Sequence, residues 1–244
     1  MSGHSHWAGI KRRKEAQDAK RGVAFQKLIK DIIAAAREGG GDPNANFRLK
    51  VAIDRAKAGN VPADNIDRGI KRGTGELGGP MEEIYYEGYG PDGVAVMVDA
   101  MTDNRNRTAG DVRHYFDKYG GNMGQSGSVS FMFTKQGVII MDQEDVDEEK
   151  LMEDALEAGA TDFLTDDGIF EIRTDPYDCG AVSSALAEKG YSFLSAETAY
   201  IPSTYVTLSN PDELTAMSKM LDMFDDNDDI QGVWHNCDNI DDAE

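Results

Sequence analysis

The sequence predicts an α+β multidomain protein, with an N-terminal helical domain followed by two α+β domains, one inserted in the other. Three observations predict this. Apolar residues between positions 25 and 75 recur at helical spacing. After residue 80, short apolar or alternating runs of strand length are interleaved with helical segments. Residues 135–202 have a complete βαββαβ order, whereas the segments on either side of them are each incomplete.

The helical domain, assigned with a basic arm to residues 1–79, begins with one amphipathic helix. Its apolar stripe has the spacing i, i+3, i+4, i+7, i+8 and i+11 and stops at the glycines 39–41. The members of the stripe are Phe25, Leu28, Ile29, Ile32, Ile33 and Ala36.

Two further helices complete this domain. In the second, we expect Asp42 to be the N-cap, with Pro43 at the first helical position and Gly59 at the end. Its candidates for burial are Phe47, Val51 and Ile53. The third helix is short and is predicted between Pro62 and Gly73.

Residues 80–134 and 203–244 are predicted to form one α+β domain. Its elements in chain order are strands Tyr85–Tyr89 and Val94–Met101, helix Thr108–Tyr119, strand Ser128–Phe133, strand Tyr205–Leu208, helix Pro211–Phe224 and strand Ile230–Trp234. The alternative is three consecutive domains, the last of them undersized. We favour the insertion because an isolated small sheet is only marginally stable.

Residues 135–202 are predicted to be the inserted domain. Its elements are strand Gly137–Met141, helix Glu148–Ala158, strands Thr161–Leu164 and Ile169–Arg173, helix Ala181–Lys189 and strand Tyr191–Ala199. This is the ferredoxin-like order, which closes on itself.

Charge is divided unevenly along the chain. The formal net charge is −20 over 244 residues, a balance that argues against nucleic acid as a partner. Residues 1–75, however, hold sixteen Lys or Arg against eight Asp or Glu, a charge of +8, and residues 76–244 carry −28. Only the N-terminal third is therefore suited to bind phosphate.

Composition also predicts the compartment. The apolar runs are of strand length and far shorter than a membrane span, so we expect no membrane partner. The two cysteines, Cys179 and Cys237, are far apart and form no C-x-x-C motif, which suits a reducing compartment and disfavours a structural zinc site. We expect a cytoplasmic protein.

The sequence contains no convincing catalytic motif. Two G-x-G-x-x-G matches occur, at 73–78 and 88–93, but the first follows a helix and the second lies between two strands. Nucleotide binding requires a strand before the motif and a helix after it. No P-loop, nucleophile elbow or zinc-protease motif is visible. We expect neither an enzyme nor a bound cofactor or metal.

The candidate site is a nucleic-acid-binding surface. In the third helix, Arg68, Lys71 and Arg72 are spaced i, i+3 and i+4, which places them on one face, opposite Ile66 and Ile70. The N-terminal arm adds basic residues that can contact phosphates and a tryptophan that can stack on a base. The candidate residues of the arm are Trp7, Lys11, Arg12, Arg13, Lys14, Lys20 and Arg21.

Several long motifs resemble the YebC/PmpR family. They are Gly3-His4-Ser5-His6-Trp7-Ala8-Gly9-Ile10-Lys11, Ala16-Gln17-Asp18-Ala19-Lys20-Arg21-Gly22, the segment from Pro62 to Gly75, Tyr86-Glu87-Gly88-Tyr89-Gly90-Pro91, Thr102-Asp103-Asn104-Arg105-Asn106-Arg107-Thr108 and Gly120-Gly121-Asn122-Met123-Gly124. The resemblance covers nearly the whole chain. Three positions depart from the family pattern: His6 replaces a usual Lys, Gly9 a common Asn and Gly69 a usual Ala. We expect Gly69 to weaken the third helix by about 1 kcal/mol.

The resemblance implies a helical domain and two ferredoxin-like α+β domains. It also implies a function in gene expression: bacterial members are described as probable DNA-binding transcriptional regulators. Mitochondrial relatives are translational activators, and some bacterial members resemble translation factors that act at the ribosome on proline-rich stretches.

The sequence therefore predicts a nucleic-acid-binding regulator whose target is DNA. The first alternative is a translation factor that binds ribosomal RNA. This alternative is favoured by the lack of a helix-turn-helix signature in the basic arm. The second alternative is a scaffold whose acidic domains bind a basic protein.

Overall fold

The computed structural model describes residues 21–77, 82–166, 168–227, 229–240 and 243, with side chains from residue 28 onward except that of residue 166. The helices in these ranges are α1 (Arg21–Gly39), α2 (Phe47–Ala58), α3 (Ala63–Gly73), α4 (Arg105–Lys118), α5 (Glu148–Ala158), α6 (Cys179–Glu188) and α7 (Pro211–Asp225). The strands are β1 (Glu82–Tyr89), β2 (Ala95–Thr102), β3 (Asn122–Met123), β4 (Phe133–Asp142), β5 (Asp162–Asp166), β6 (Ile169–Thr174), β7 (Ser195–Pro202) and β8 (Ile230–His235).

Helices α1, α2 and α3 share one apolar core. All three contribute buried side chains to it: Ile32, Ala35, Ala36, Leu49, Ala52, Ile53, Ala56 and Ile66. The predicted C-terminal ends are confirmed, since α1 stops at Gly39 and α3 at Gly73. The apolar periodicity of the sequence was sufficient here because each helix buries a single stripe.

The predicted start of the second helix is wrong. Asp42 belongs to a turn, and α2 begins at Phe47 with Asn46 as its N-cap. The Asn46 side chain accepts a hydrogen bond from the Leu49 amide at 3.0 Å and donates to the carbonyls of Ala35 at 2.7 Å and Gly40 at 2.9 Å. It therefore caps the ends of two helices at once, a contact that depends on how α1 and α2 meet. Phe47, predicted to be buried, is 44% exposed.

Two glycines let α3 approach α1 closely. A Cβ atom on Gly73 would lie 2.5 Å from the Ile33 carbonyl oxygen and 2.7 Å from the Ala36 Cβ. On Gly69 it would lie 3.2 Å from the Ile32 Cγ2 atom, which is tight but less severe. Packing against α1 thus opposes the gain in helix propensity that alanine would bring at position 69.

The first sheet has the order β3-β1-β2-β8, and every neighbouring pair is antiparallel. One face is covered by α4 and α7, where Phe116 and Phe224 meet edge to face with centroids 5.3 Å apart. Met101 points to the opposite face and packs against Ile33 and Ala34 of α1. Helix α1 therefore belongs to two cores.

The prediction of two of the strands in this region is wrong. Residues 130–132 form a short 3₁₀ helix instead of part of a strand at 128–133, and the strand that pairs with the outer side of β1 is β3. Residues 205–208 contain only an isolated parallel bridge between Val206 and Cys237. Both segments have the apolar content of strands, but their backbone groups bond to other partners.

Glu87 supplies those partners for the first segment. Its side chain is buried in β1 and accepts hydrogen bonds from the backbone amides of Gly127, Val129 and Ser130, each at 2.8 Å. Burial raises the pKa of Glu87, while these amide hydrogen bonds lower it, and the net result is a pKa below the ordinary 4.5. The carboxylate thus stays charged and fixes the loop around it.

The second sheet has the order β5-β6-β4-β7 and is antiparallel throughout. Its chain order is βαββαβ, and its first strand, β4, lies between its third and fourth, β6 and β7, which is the ferredoxin-like arrangement. The predicted helix Glu148–Ala158 matches α5 at both ends. Strand β7 begins at Ser195 rather than Tyr191, whose hydroxyl donates instead to Asp154 at 2.7 Å.

The predicted fold class is confirmed: the chain is an α+β protein with an N-terminal helical domain and two four-stranded antiparallel sheets. The domain limits at residues 79, 134 and 202 remain our proposal, which the assignment of β4–β7 to one sheet supports. No helix in the described ranges combines the length and the apolar character needed to cross a membrane.

Replacing Gly73 with alanine tests the contact between α1 and α3. We expect Gly73→Ala to lower the free energy of unfolding by about 1–3 kcal/mol, because the new methyl group would meet backbone atoms of α1. Gly110→Ala is the matched control: Gly110 is an exposed α4 residue with open space around its Cβ position, so the change should stabilise by about 0.5–1 kcal/mol. Urea denaturation measures both. A Gly73→Ala protein as stable as the Gly110→Ala protein would contradict the close approach.

Neutralising Glu87 tests how the loop is held. We expect Glu87→Gln to speed hydrogen exchange at the amides of Gly127, Val129 and Ser130, since an amide oxygen accepts more weakly than a carboxylate. Exchange rates measured by NMR at neutral pH check this. Glu82→Gln, an exposed position on the same strand, should leave these rates unchanged. Equal effects of the two changes would show that Glu87 does not fix the loop.

Candidate nucleic-acid interface

Most candidate residues of the arm lie outside the described part of the chain. These are Trp7, Lys11, Arg12, Arg13, Lys14 and Lys20. Arg21 is the first residue of α1. The geometry of the candidate site is therefore described for the third helix, where Arg68, Lys71 and Arg72 lie.

The basic residues of α3 lie on its solvent side. Ile66 and Gly69 are buried against the helical core, whereas Arg68 is exposed and the side chains of Lys71 and Arg72 are 44% and 41% exposed. The opposite placement of basic and buried residues follows from the predicted helical spacing. All three cations are accessible to a large anionic partner.

Two of these cations have carboxylate partners. The Lys71 Nζ atom lies 2.6 Å from Asp67 Oδ2, one helical turn earlier, and this hydrogen bond raises the pKa of Lys71. An Arg72 Nη2 atom lies 3.8 Å from Asp103 Oδ2, beyond the end of β2. Ion pairs this exposed are screened by water and contribute little stability, so a phosphate group can displace the carboxylates at little cost.

Asp103 also contacts α4. The Arg107 Nη2 atom lies 3.2 Å from Asp103 Oδ1 and 2.8 Å from Asp229 Oδ2. A chain of alternating charges thus joins the exposed end of α3 to the buried start of β8. Arg107 and Asp229 were absent from the sequence-based site. The one signal for Arg107 was its position in the motif Thr102–Thr108.

Asp229 is the buried end of this chain of charges. Its Oδ2 atom accepts hydrogen bonds from Thr102 Oγ1 at 3.2 Å, Thr108 Oγ1 at 2.7 Å and Arg107 Nη2 at 2.8 Å. The Nζ atom of Lys30 in α1, whose side chain is only 12% exposed, lies 3.5 Å from Oδ1. Four donors from three elements therefore surround one carboxylate.

The pKa of Asp229 follows from this setting. Burial raises it, whereas the hydrogen bonds from Arg107 and Thr108 and the charge of Lys30 lower it, and the net pKa lies below the ordinary 3.8. The carboxylate is therefore ionised at neutral pH and holds α1, β2 and α4 together.

In the described ranges, no three His, Cys, Asp or Glu side chains converge in a way that could hold a metal ion. Cys179 and Cys237 are both buried, and neither is in a disulfide bond. The arrangement suits phosphate binding by exposed cations, with a buried ion network beneath them that positions one of the arginines.

Sequence profiles identify the family. The profile described as "TACO1/YebC protein N-terminal domain" matches residues 5–76, and the one described as "TACO1/YebC second and third domain" matches residues 81–237. The chain belongs to the TACO1/YebC family. The resemblance inferred from the motifs is thereby confirmed.

Relatives in this family are similar over their whole length. A protein of Caldanaerobacter subterraneus named "Probable transcriptional regulatory protein" is 54% identical over 238 residues, which cover 97% of this chain and 98% of the relative. Proteins with the same descriptive name from Finegoldia magna and Geobacter sulfurreducens are 51% and 54% identical, covering 98% of this chain and 100% and 96% of theirs. The crystal structure of a conserved hypothetical protein from Aquifex aeolicus is 44% identical, with a TM-score of 0.82 over 90% of this chain and 91% of that one.

The Asp229→Asn variant tests the ion pairs that the buried carboxylate of Asp229 forms with Lys30 and Arg107. At pH 7 we expect a loss of about 3 kcal/mol in the free energy of unfolding, because Lys30 and Arg107 lose their shared partner. The folded-state pKa is lowered, so the contribution of the carboxylate is complete above the ordinary pKa of 3.8 and is lost as pH falls through the folded value. The difference between variant and wild type should therefore shrink below about pH 4.

Urea denaturation at several pH values measures that difference. Asp92→Asn, at an exposed turn position, should stay within about 0.5 kcal/mol of the wild type at every pH. A constant stability gap for Asp229→Asn down to pH 3 would show that ionisation of Asp229 is not what stabilises the fold.

Proposed function

We propose that this chain is a nucleic-acid-binding regulator of gene expression and that its target is DNA. The observation that carries the proposal is the exposed basic face formed by Arg68, Lys71 and Arg72 in a chain whose net charge is −20. In such a chain, an exposed cluster of cations is a local exception that can attract an anionic partner. The proposal includes no catalytic step and places the protein in the cytoplasm.

The N-terminal arm supplies the second half of the proposed interface. Its basic residues lie before α1 in sequence, except Arg21, which is the first residue of α1. Trp7 adds a ring that can stack on an exposed base. The basic residues contributed by the arm are Lys11, Arg12, Arg13, Lys14, Lys20 and Arg21. Contacts of this kind position the protein on phosphates without reading the sequence of bases.

The acidic remainder of the chain limits which surface of the protein can bind nucleic acid. Residues 76–244 carry a formal charge of −28, which repels a phosphate backbone at low and moderate salt. Binding is therefore centred on the N-terminal third and falls as salt rises, because each phosphate contact releases a counterion.

The preference for DNA rests on the names of the relatives and on one feature of the helical domain. Several relatives that align over their full length are named probable transcriptional regulatory proteins. Helices α2 and α3 are joined by the four residues 59–62, the connection length of a helix-turn-helix. This feature supports a duplex target.

A specific observation also favours the alternative of an RNA target at the ribosome. In helix-turn-helix proteins, the N-terminal residues of the second helix enter the major groove. The exposed first-turn residues of α3 are Ala63, Asp64 and Asn65, and the charged one among them, Asp64, is acidic. The basic residues lie at the other end of α3, which suits phosphate contacts better than base contacts. Structured RNA is recognised largely through such contacts and through shape.

The experiment compares the Arg68→Ala, Lys71→Ala, Arg72→Ala triple variant with the wild type on a DNA duplex and on ribosomes. We expect the triple variant to bind more weakly and the salt dependence of log K to become shallower by about 0.9 for each duplex phosphate that the variant no longer neutralises. The control is Lys50→Ala, Lys57→Ala, which removes two exposed cations from α2. Fluorescence anisotropy from 50 to 200 mM salt, together with co-sedimentation with ribosomes, measures both.

The outcomes separate the three hypotheses. DNA binding requires sequence-selective affinity about a thousandfold or more above that for random duplex. Two results together would favour ribosomal RNA over DNA as the target. These are weak, unselective binding to duplexes and co-sedimentation of the wild type, but not of the triple variant, with ribosomes. Retention of all binding by residues 76–244 alone would favour the scaffold and contradict the proposal.

A further inference from the structure

We infer, on the basis of the proposed function, that the phosphate-binding surface extends beyond α3 onto the first turn of α4. Arg105 and Arg107 add two cations to it, and Asp103 acts as an internal competitor that occupies the surface when nucleic acid is absent. None of these three residues belongs to the site predicted from the sequence.

The contacts of Asp103 bring the two helices together. One of its carboxylate oxygens lies 3.8 Å from Arg72 Nη2 of α3, and the other lies 3.2 Å from Arg107 Nη2 of α4. Two guanidinium groups from separate elements thus flank one anion. A phosphate group offers the same oxygen acceptors with similar geometry, so it can replace the carboxylate.

All three members of this cluster are accessible to a partner. The side chains of Arg72, Asp103 and Arg107 are 41%, 49% and 50% exposed. Ion pairs at this exposure are weak, and the competing phosphate brings with it the release of condensed counterions. Exchange of the carboxylate for a phosphate is therefore favourable at low salt.

Arg107 is held in position by the buried carboxylate of Asp229. Its Nη2 atom also lies 2.8 Å from Asp229 Oδ2, so the exposed guanidinium is anchored to the buried network. A cation that is already oriented loses less side-chain entropy on binding than a free one. Arg107 is therefore a positioned contact, and its replacement would also disturb Asp229.

Arg105 is the member that can be tested without disturbing the fold. It is exposed at the first position of α4, two residues along the chain from both Asp103 and Arg107. Its backbone is fixed, since the Arg105 carbonyl accepts a hydrogen bond from the Tyr86 hydroxyl at 3.4 Å. The charge of Arg105 is thus available to a partner.

Arg105→Ala and Asp103→Asn should change the affinity in opposite directions. We expect Arg105→Ala to raise the Kd for a DNA duplex about fivefold at 0.15 M salt and to make the salt slope shallower by about 0.9, the contribution of one phosphate contact. Asp103→Asn should lower the Kd by a similar factor of about five, because it frees Arg72 and Arg107 for phosphate. Both variants are made in the full chain and measured by fluorescence anisotropy.

Lys118→Ala is the matched control for this surface. Lys118 is an exposed cation on the same helix, about 20 Å from Arg105 along the axis. Its removal should leave the Kd and the salt slope unchanged. A thermal melt of each variant verifies that it is folded.

Opposite shifts for Arg105→Ala and Asp103→Asn support the inference, since a mere loss of structure would weaken binding in both. An unchanged Kd for Arg105→Ala, with binding still abolished in the α3 triple variant, would overturn the inference and leave the proposed function intact. Weaker binding by Asp103→Asn would show that Asp103 supports the surface rather than competing for it. Absence of any nucleic-acid binding by the wild type would instead contradict the proposed function.

Discussion

The buried carboxylate of Asp229 is the constraint on which the N-terminal half of the fold depends. A carboxylate removed from water is stable only when charged and hydrogen-bonding partners replace the water. Asp229 obtains them from Lys30 in α1, from Thr102 at the end of β2, and from Arg107 and Thr108 in α4. Because these partners belong to the helical domain and to the first sheet, satisfying one charge fixes how the two are joined.

That constraint also determines which cations face solvent. With Arg107 anchored to Asp229, its guanidinium lies beside Asp103, and Asp103 in turn meets Arg72 at the end of α3. The basic face of the helical domain is thus connected to α4 through ion pairs that become progressively more exposed. Their strength falls with exposure, so the buried end maintains the structure while the exposed end can exchange partners.

Sequence reasoning predicted the elements whose causes are local. The helices α1, α3, α5 and α7 follow from apolar periodicity and nearby glycine or proline residues, and the basic face of α3 follows from helical spacing. It failed where the decisive contact was distant. Asn46 caps α2 because it also reaches α1, and the loop before β4 bonds to Glu87, about 40 residues earlier. No propensity of the segment itself could reveal these partners.

By itself, the sequence determined the fold class, the division of charge at residue 75 and the family, because composition, periodicity and long motifs are properties of neighbouring residues. Only the tertiary structure decided that Asp229 meets Arg107, 122 positions away in sequence, and that Arg72 meets Asp103. The first pair forms because packing of α1, α4 and the first sheet brings Arg107 to a carboxylate that water scarcely reaches. The second pair is more exposed and forms because the end of α3 lies near the end of β2. Coulomb attraction there depends on distance in space and on burial, and neither can be read from spacing along the chain.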